Sequence, residues 1–252
     1  MLVLLPPSET KVSGGVPGTS LDIHQLSFPG QNRVRESLIE QVVELSRDEM
    51  VALRALKLGP KGAPEVHRNR ELRTSPAMPA LQRYTGVLFD HLDHTSLRAT
   101  AATWVAESLA VFSALFGLIR ATDLIPAYRL SHDSKLTGGS LVSQWAAVAP
   151  TLWDEVPGFV LDLRSEGYRK LAPVPSEKGV FIAVVSEGRS GPRKALGHAN
   201  KASKGLLVRA LAESEARLEC VEDVISWGSK HGYHFDPESL NRGVLDVVIS
   251  GS

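Results

Sequence analysis

A chain of 252 residues with 43% hydrophobic and 22% charged side chains has the composition of a soluble globular protein, long enough to bury a sizeable core. Its 28 basic and 28 acidic residues balance, which excludes a uniformly basic nucleic-acid coat and leaves any anion site to a local cluster. One cysteine, Cys220, excludes an internal disulfide and fits a reducing compartment, and no stretch reaches the ~20 apolar residues that span a bilayer.

The opening "MLVLLPPSETK" places an apolar run, residues 2–5, before Pro6 and Pro7. It has no basic n-region and too short an apolar run for a targeting signal, so it is expected to be a short buried strand in a cytoplasmic protein. Residues 12–32, with "SGGVPGTS" at the centre, form a long loop. Val34, Leu38, Val42 and Leu45 recur at helical spacing, with Asn32 as the expected N-cap. Ser46 and Glu49 form a capping-box pattern ahead of "RDEMVALRAL", "LGPKGAP" breaks that helix, and "PEVHRNRELR" is a third, polar one. The longest periodic segment, "SLRATAATWVAESLAVFSALFGLI", predicts a core helix over residues 96–119, or two joined near Ser113. "LVSQWAAVAPTLWDEV" predicts another helix, and residues 159–163, 180–185 and 245–249 predict strands. "ANKASKGLLVRALAE" is a helix before the last strand. Strands spread among helices without a regular βαβ spacing imply one α+β domain over 1–252, a sheet covered by helices.

Charge is clustered along the chain. Residues 189–209 hold Arg189, Arg193, Lys194, Lys201, Lys204 and Arg209 and no acid, whereas residues 213–223 sum to −4. On a helix, Lys201, Lys204, Gly205 and Arg209 share one face, opposite Leu206, Leu207, Ala210 and Leu211. Two lysines near a helix start oppose the macrodipole, and an anion docked there would relieve the conflict; a solvated basic face is the simpler alternative. A second basic stretch, "KLGPKGAPEVHRNRELR", sums to +3 and has glycines but not the tight spacing of a DNA-binding hairpin.

No phosphate-binding Gly loop, dinucleotide fingerprint, nucleophile elbow or zinc pattern occurs. His91 with His94, and His231 with His234 and Asp236, are weak metal candidates by spacing. Neither a metal nor a cofactor is expected.

Several separate motifs then agree. "YTGVLFDHLD", "FSALFGLIRATDLIPAYRL", "VLDLRSEGY", "NKASKGLLVRALAE" and "KHGYHFD" stand in an order and spacing that resemble the YaaA family of peroxide stress proteins, from Leu2 to about Ile249. Tyr84, Thr85 and Gly86 match its Y-x-G-L segment. Gly117, Arg120, Asp123, Tyr128, Arg129 and Leu130 match the long central motif, with Ala121 in place of the usual Pro. Ser165 and Tyr168 match L-x-S-x-x-Y, Lys201, Lys204 and Gly205 match K-x-A-[RK]-G, and Gly232, Tyr233, Phe235 and Asp236 match G-Y-x-[FY]-D. The opening matches the family's P-P-S-E-[GT]-K form, in which Glu9 stands where the S-P-A-K-T form has a lysine and Lys11 partly compensates.

The resemblance implies an unusual single-domain α+β fold with a mixed central sheet, the strand over residues 2–5 at its centre and a cleft beside that strand's exit. It also implies defence against oxidative stress through limiting iron, and binding of duplex or branched DNA through a basic cleft. Two functions follow as expectations. In the first, Lys201, Lys204, Arg209, Arg193, Lys194, Arg129 and Arg120 contact DNA phosphates without reading sequence, with residues 57–73 as a second contact. In the second, Ser8, Glu9, Lys11, Tyr84, Thr85, Arg129, Ser165 and Tyr168 line a pocket with Lys201 and Lys204 for a small anionic or nucleotide-like ligand. Glu9, Tyr168 and Lys204 are then the catalytic candidates, Glu9 as a proton acceptor and a lysine as an anion clamp. No membrane partner is expected.

Overall fold

The computed structural model describes residues 1–186, 194–195 and 198–249. Its strands are β1 (Leu2–Leu5), β2 (Met78–Pro79), β3 (Leu109–Ser113), β4 (Gly117–Arg120), β5 (Leu124–Ile125), β6 (Val160–Asp162), β7 (Gly179–Ser186), β8 (Lys194–Ala195), β9 (His234–Asp236) and β10 (Leu245–Ile249). Its helices are α1 (Asn32–Leu45), α2 (Glu49–Ala55), α3 (Ala63–Arg70), α4 (Ala80–Arg83), α5 (Val87–Leu92), α6 (Ala99–Ser108), α7 (Leu141–Ala146), α8 (Ala149–Leu152), α9 (Glu166–Arg169), α10 (His198–Glu213) and α11 (Val221–His231).

One mixed sheet runs in the order β4-β3-β1-β6-β7-β10-β9, with β8 antiparallel on β7; β2 and β5 form a separate small ribbon. β1 lies parallel between β3 and β6, with Val3 opposite both Leu109 and Leu161. The edges are antiparallel, β4 on β3 and β9 on β10. All four residues of β1 are buried, as a parallel strand with both faces covered requires. Its continuous apolar run, rather than an alternating one, follows from that position. A single connected core joins Leu2 to Val247, with Trp145, Trp153, Phe112 and Phe116 among its largest fully buried side chains.

The segment 96–119 is not one core helix. Only α6 is helical, and the chain then turns into β3 and β4. Residues 109–113 are all buried, and a fully buried apolar run carries no period that separates helix from strand. Pairing with β1 settled the choice. Gly117 makes the turn possible: its φ of 64° is left-handed, and a Cβ there would stand 2.1 Å from Gln31 Oε1. The buried Arg35 of α1 locks the same turn by donating to the Phe116 and Leu118 carbonyls at 2.8 and 2.7 Å.

Both expected caps also moved. Asn32 is the first residue of α1, behind a 3-10 turn over Pro29–Gln31, and its Oδ1 accepts from Arg35. Ser46 is buried and donates back to the Val42 carbonyl, so Asp48 caps α2 by accepting the Val51 N–H. The segment 141–156 is broken into α7, α8 and a 3-10 turn, with Pro150 in the first turn of α8. α11 carries an amphipathic pattern that the sequence reading passed over; it buries Val224, Trp227 and Gly228. No helix among the described residues is long and apolar enough to cross a membrane.

Candidate anion-binding site

The carboxyl ends of β1 and β6 lie side by side, and a cleft of about 550 Å³ opens just beyond them. In open sheets with parallel strands this is where ligands are held, because the strand exits splay apart there. Five chain segments build it, one of them contributing His132 alone. The β1 exit supplies Pro6, Pro7, Ser8, Glu9 and Thr10. The start of α5 supplies Thr85 to Phe89. The β6 exit and α9 supply Leu163, Ser165 and Tyr168, and α10 supplies Asn200, Lys201 and Lys204. Ser8, Glu9, Thr85, Ser165, Tyr168, Lys201 and Lys204, all singled out from the sequence, therefore share one cavity.

Lys204 is the most constrained of these. It is buried, and its ammonium donates to the Leu163 and Arg164 carbonyls at 3.0 and 3.1 Å. An ammonium has three donors, so one N–H is left at the cleft wall. Burial lowers its pKa to about 8, against the opposing pull of Asp162 and Glu166. The carbonyls that receive it are fixed by an ion pair beneath the floor. Arg164 Nε donates to Asp162 Oδ1 at 2.9 Å and Nη2 to Oδ2 at 2.8 Å, with both side chains nearly inaccessible. The same guanidinium reaches the Tyr168 and Ala172 carbonyls, tying α9 to the strand exit. Gly205 follows Lys204 because α5 passes too close for anything larger: a Cβ there would stand 2.3 Å from the Leu88 carbonyl oxygen.

The helical face foreseen as solvated and basic thus packs against α5, while Leu206, placed on the core side, is 48% exposed. Lys201 alone of its three basic residues is exposed. Arg209 is committed elsewhere. It donates to the Leu92 and Asp93 carbonyls and Ser96 Oγ at the end of α5, and pairs with Asp93 and Glu213. Arg120 is not a cleft residue; it donates to the Glu107 carbonyl and lies over the Phe28 ring. Arg193 and the Lys194 side chain lie outside the described residues.

Lys11 and Tyr84 stand behind the cleft wall rather than in it. Lys11 is buried, bridged to Tyr84 along the backbone, and its ammonium lies 4.0 Å from the centre of the Tyr128 ring. It donates to the Ser8 and Glu9 carbonyls at 2.9 and 3.3 Å, which fixes the loop after β1. Burial, reinforced by the Arg129 charge, lowers its pKa to about 7. Tyr84, Tyr128 and Ser113 continue inward as a hydroxyl chain with 2.8 and 2.7 Å links. Burial raises the pKa of all three nearby tyrosines, 84, 128 and 168. Ser8 Oγ accepts the Thr85 N–H at 3.2 Å, joining the β1 exit to α5. Glu9 Oε2 pairs with Arg129 Nη2 at 2.7 Å, and Arg129 is itself placed by Asn69, which bonds both its backbone groups.

These pKa shifts give stability a defined pH profile. Between about pH 7 and 10.5 the unfolded chain holds a proton that native Lys11 has lost, and Lys204 joins it above about 8. Stability therefore rises with pH in that window, at about 1.4 kcal/mol per pH unit for each lysine. Above pH 10 unfolded tyrosines ionise while the buried ones stay protonated, and stability falls again. Denaturant titrations from pH 6.5 to 10.5 should show the rise, and Lys11→Met should flatten it. A profile indifferent to both Lys11→Met and Lys204→Met would refute the assignment.

Sequence reading missed His132 and Asn200. His132 lies edge-on to Tyr168 at 5.1 Å, and both line the cleft. Asn200 immediately precedes the lysine motif, and His132 follows the "YRL" of the central one, so proximity to the motifs was the available signal. The metal candidates do not converge: His91 Nδ1 contacts the Val87 carbonyl, His231 Nδ1 the Trp227 carbonyl, and no group of three metal-ligating side chains occurs among the described residues. In the 57–73 stretch, Lys57, Arg68, Arg70 and Arg73 are engaged with Asp133, Glu65, the Ser46 carbonyl and Glu36, which leaves Lys61 exposed at the turn between α2 and α3.

Fold and site together define an α+β protein with a lysine-bearing cleft at the carboxyl ends of its central parallel strands. The family model described as Peroxide stress protein YaaA matches residues 1–239, and the chain belongs to that family. It is similar to UPF0246 proteins of Corynebacterium glutamicum (41% identical over 99% of this chain and 100% of the relative) and Corynebacterium efficiens (44%, over the same shares). A UPF0246 protein of Streptomyces coelicolor is 40% identical over 99% of this chain and 98% of its own.

Proposed function

We propose that this chain serves the peroxide stress response by binding a phosphorylated, nucleotide-sized ligand in the cleft. One observation carries the reading: Ser8, Ser165, Lys201 and Lys204, from separate segments, share a cavity of about 550 Å³. That volume suits a small metabolite. The lining combines apolar residues, Pro6, Pro7, Leu88, Phe89 and Leu163, with the two lysines, Asn200 and Ser165. A flat apolar group would lie against the former and a phosphate against the latter, where Lys204 supplies a desolvated charge. Adenosine monophosphate should raise the melting temperature in a concentration-dependent way in wild type and far less in Lys204→Met. No shift with any nucleoside monophosphate or with inorganic phosphate would overturn the reading.

A second reading, duplex or branched DNA held without sequence preference, is favoured by the exposure of Lys201 at the cleft and Lys61 at the α2–α3 turn. With Arg209, Arg68 and Arg73 already in ion pairs, few phosphates would be neutralised. About three contacts give a salt slope of about −3. A gel-shift titration that finds no complex at low salt rejects it. Limitation of iron would be an indirect effect of either activity.

A further inference from the structure

Arg129 and Glu9 form an ion pair whose geometry is lopsided. Arg129 is 13% exposed and Glu9 67%. The pair rests on a single contact, Nη2 to Oε2 at 2.7 Å, while Arg129 Nε is buried with no hydrogen-bond partner. Nε and Nη2 are the two prongs of the guanidinium edge that takes an oxyanion bidentately. Glu9 engages one of them. Its backbone is pinned from below by Lys11 and that of Arg129 by Asn69, so neither main chain shifts to complete the fork.

We propose that Arg129, which stands behind the cleft-lining Glu9 rather than in the cleft wall itself, is a second anion subsite at the cleft's border, covered by the Glu9 carboxylate, and that the ligand carries two separate anionic groups. The proposal rests on the ligand reading above: one phosphate sits at Lys201 and Lys204, and the second group takes the Arg129 fork as Glu9 swings outward. The exchange costs little, because an ion pair with so exposed a partner is weak. A nucleoside bisphosphate is the chemical class that matches a nucleotide-sized cleft with two cationic poles. Glu9 then acts as an internal competitor that discriminates against ligands with one anion, which cannot displace it.

Calorimetric titration with adenosine 3′,5′-bisphosphate and with adenosine 5′-monophosphate tests this. Wild type should prefer the bisphosphate. Glu9→Gln should raise bisphosphate affinity by up to about fivefold with little change for the monophosphate, and Arg129→Met should abolish the preference. Arg129→Lys, which keeps the charge and loses the fork, serves if the Met variant does not fold, and should also weaken the preference. An equal gain for both nucleotides in Glu9→Gln, or a preference untouched by loss of Arg129, overturns the proposal while leaving the ligand reading standing. Failure of wild type to bind either nucleotide overturns both.

Discussion

Arg164→Met is expected to cost about 3–5 kcal/mol of folding stability, because it strands Asp162 as a buried carboxylate without its cation. For a chain of this length that lowers the melting temperature by about 10 °C or more. The guanidinium also lies over the Phe112 and Trp153 rings and reaches the Tyr168 and Ala172 carbonyls, so packing is lost with the charge. Replacing both partners, Asp162→Leu with Arg164→Met, should recover much of the loss, since two apolar side chains avoid the unpaired charge. Urea titration of the single and the double variant measures this. A single variant within about 1 kcal/mol of wild type would mean that water reaches the pair. The stability effect bears on function, because the same residue presents the main-chain oxygen that holds Lys204.

The second large effect concerns Lys204 itself. Lys204→Met should weaken binding of a phosphorylated ligand by about 10- to 200-fold, the equivalent of about 1.5–3 kcal/mol for a desolvated, charge-assisted hydrogen bond. Lys201→Ala should have a smaller effect, because its exposed ammonium acts through water. The pH dependence separates the two. Lys204 loses its proton near pH 8, so wild-type affinity should decline above that pH, and the decline should be missing in Lys204→Met. Titration calorimetry at pH 7 and 9 reads both quantities. Equal affinities for wild type and Lys204→Met would remove this residue from the site.

Much of this was legible in the sequence for a physical reason. A run such as Leu2–Leu5 closed by two prolines has few solutions other than a buried strand with a sharp exit. The L-x-S-x-x-Y motif and the Lys201-Ala-Ser-Lys-Gly stretch placed Ser165, Tyr168, Lys201 and Lys204 at a strand exit and near a helix start, and the structure brings those four together with Ser8, Glu9 and Thr85. Charge was far less informative. Lys204 and Arg209 look alike on a helical wheel, yet one lines the cleft and the other clamps the end of α5 through Asp93 and Ser96.

Apolar runs, prolines and glycines act locally, and from them follow the buried segments, the strand exits and the polar residues that cluster around those exits. That residues 109–119 form a hairpin rather than a helix, that Lys11 and Tyr84 stand behind the cleft, and that Glu9 faces Arg129 across 120 positions of chain emerge with the packed fold. Those outcomes depend on which distant backbone or charge lies opposite a residue. Pairing of β3 with β1, burial of two lysines and capture of Glu9 by the Arg129 guanidinium are long-range interactions, and local pattern does not encode their partners.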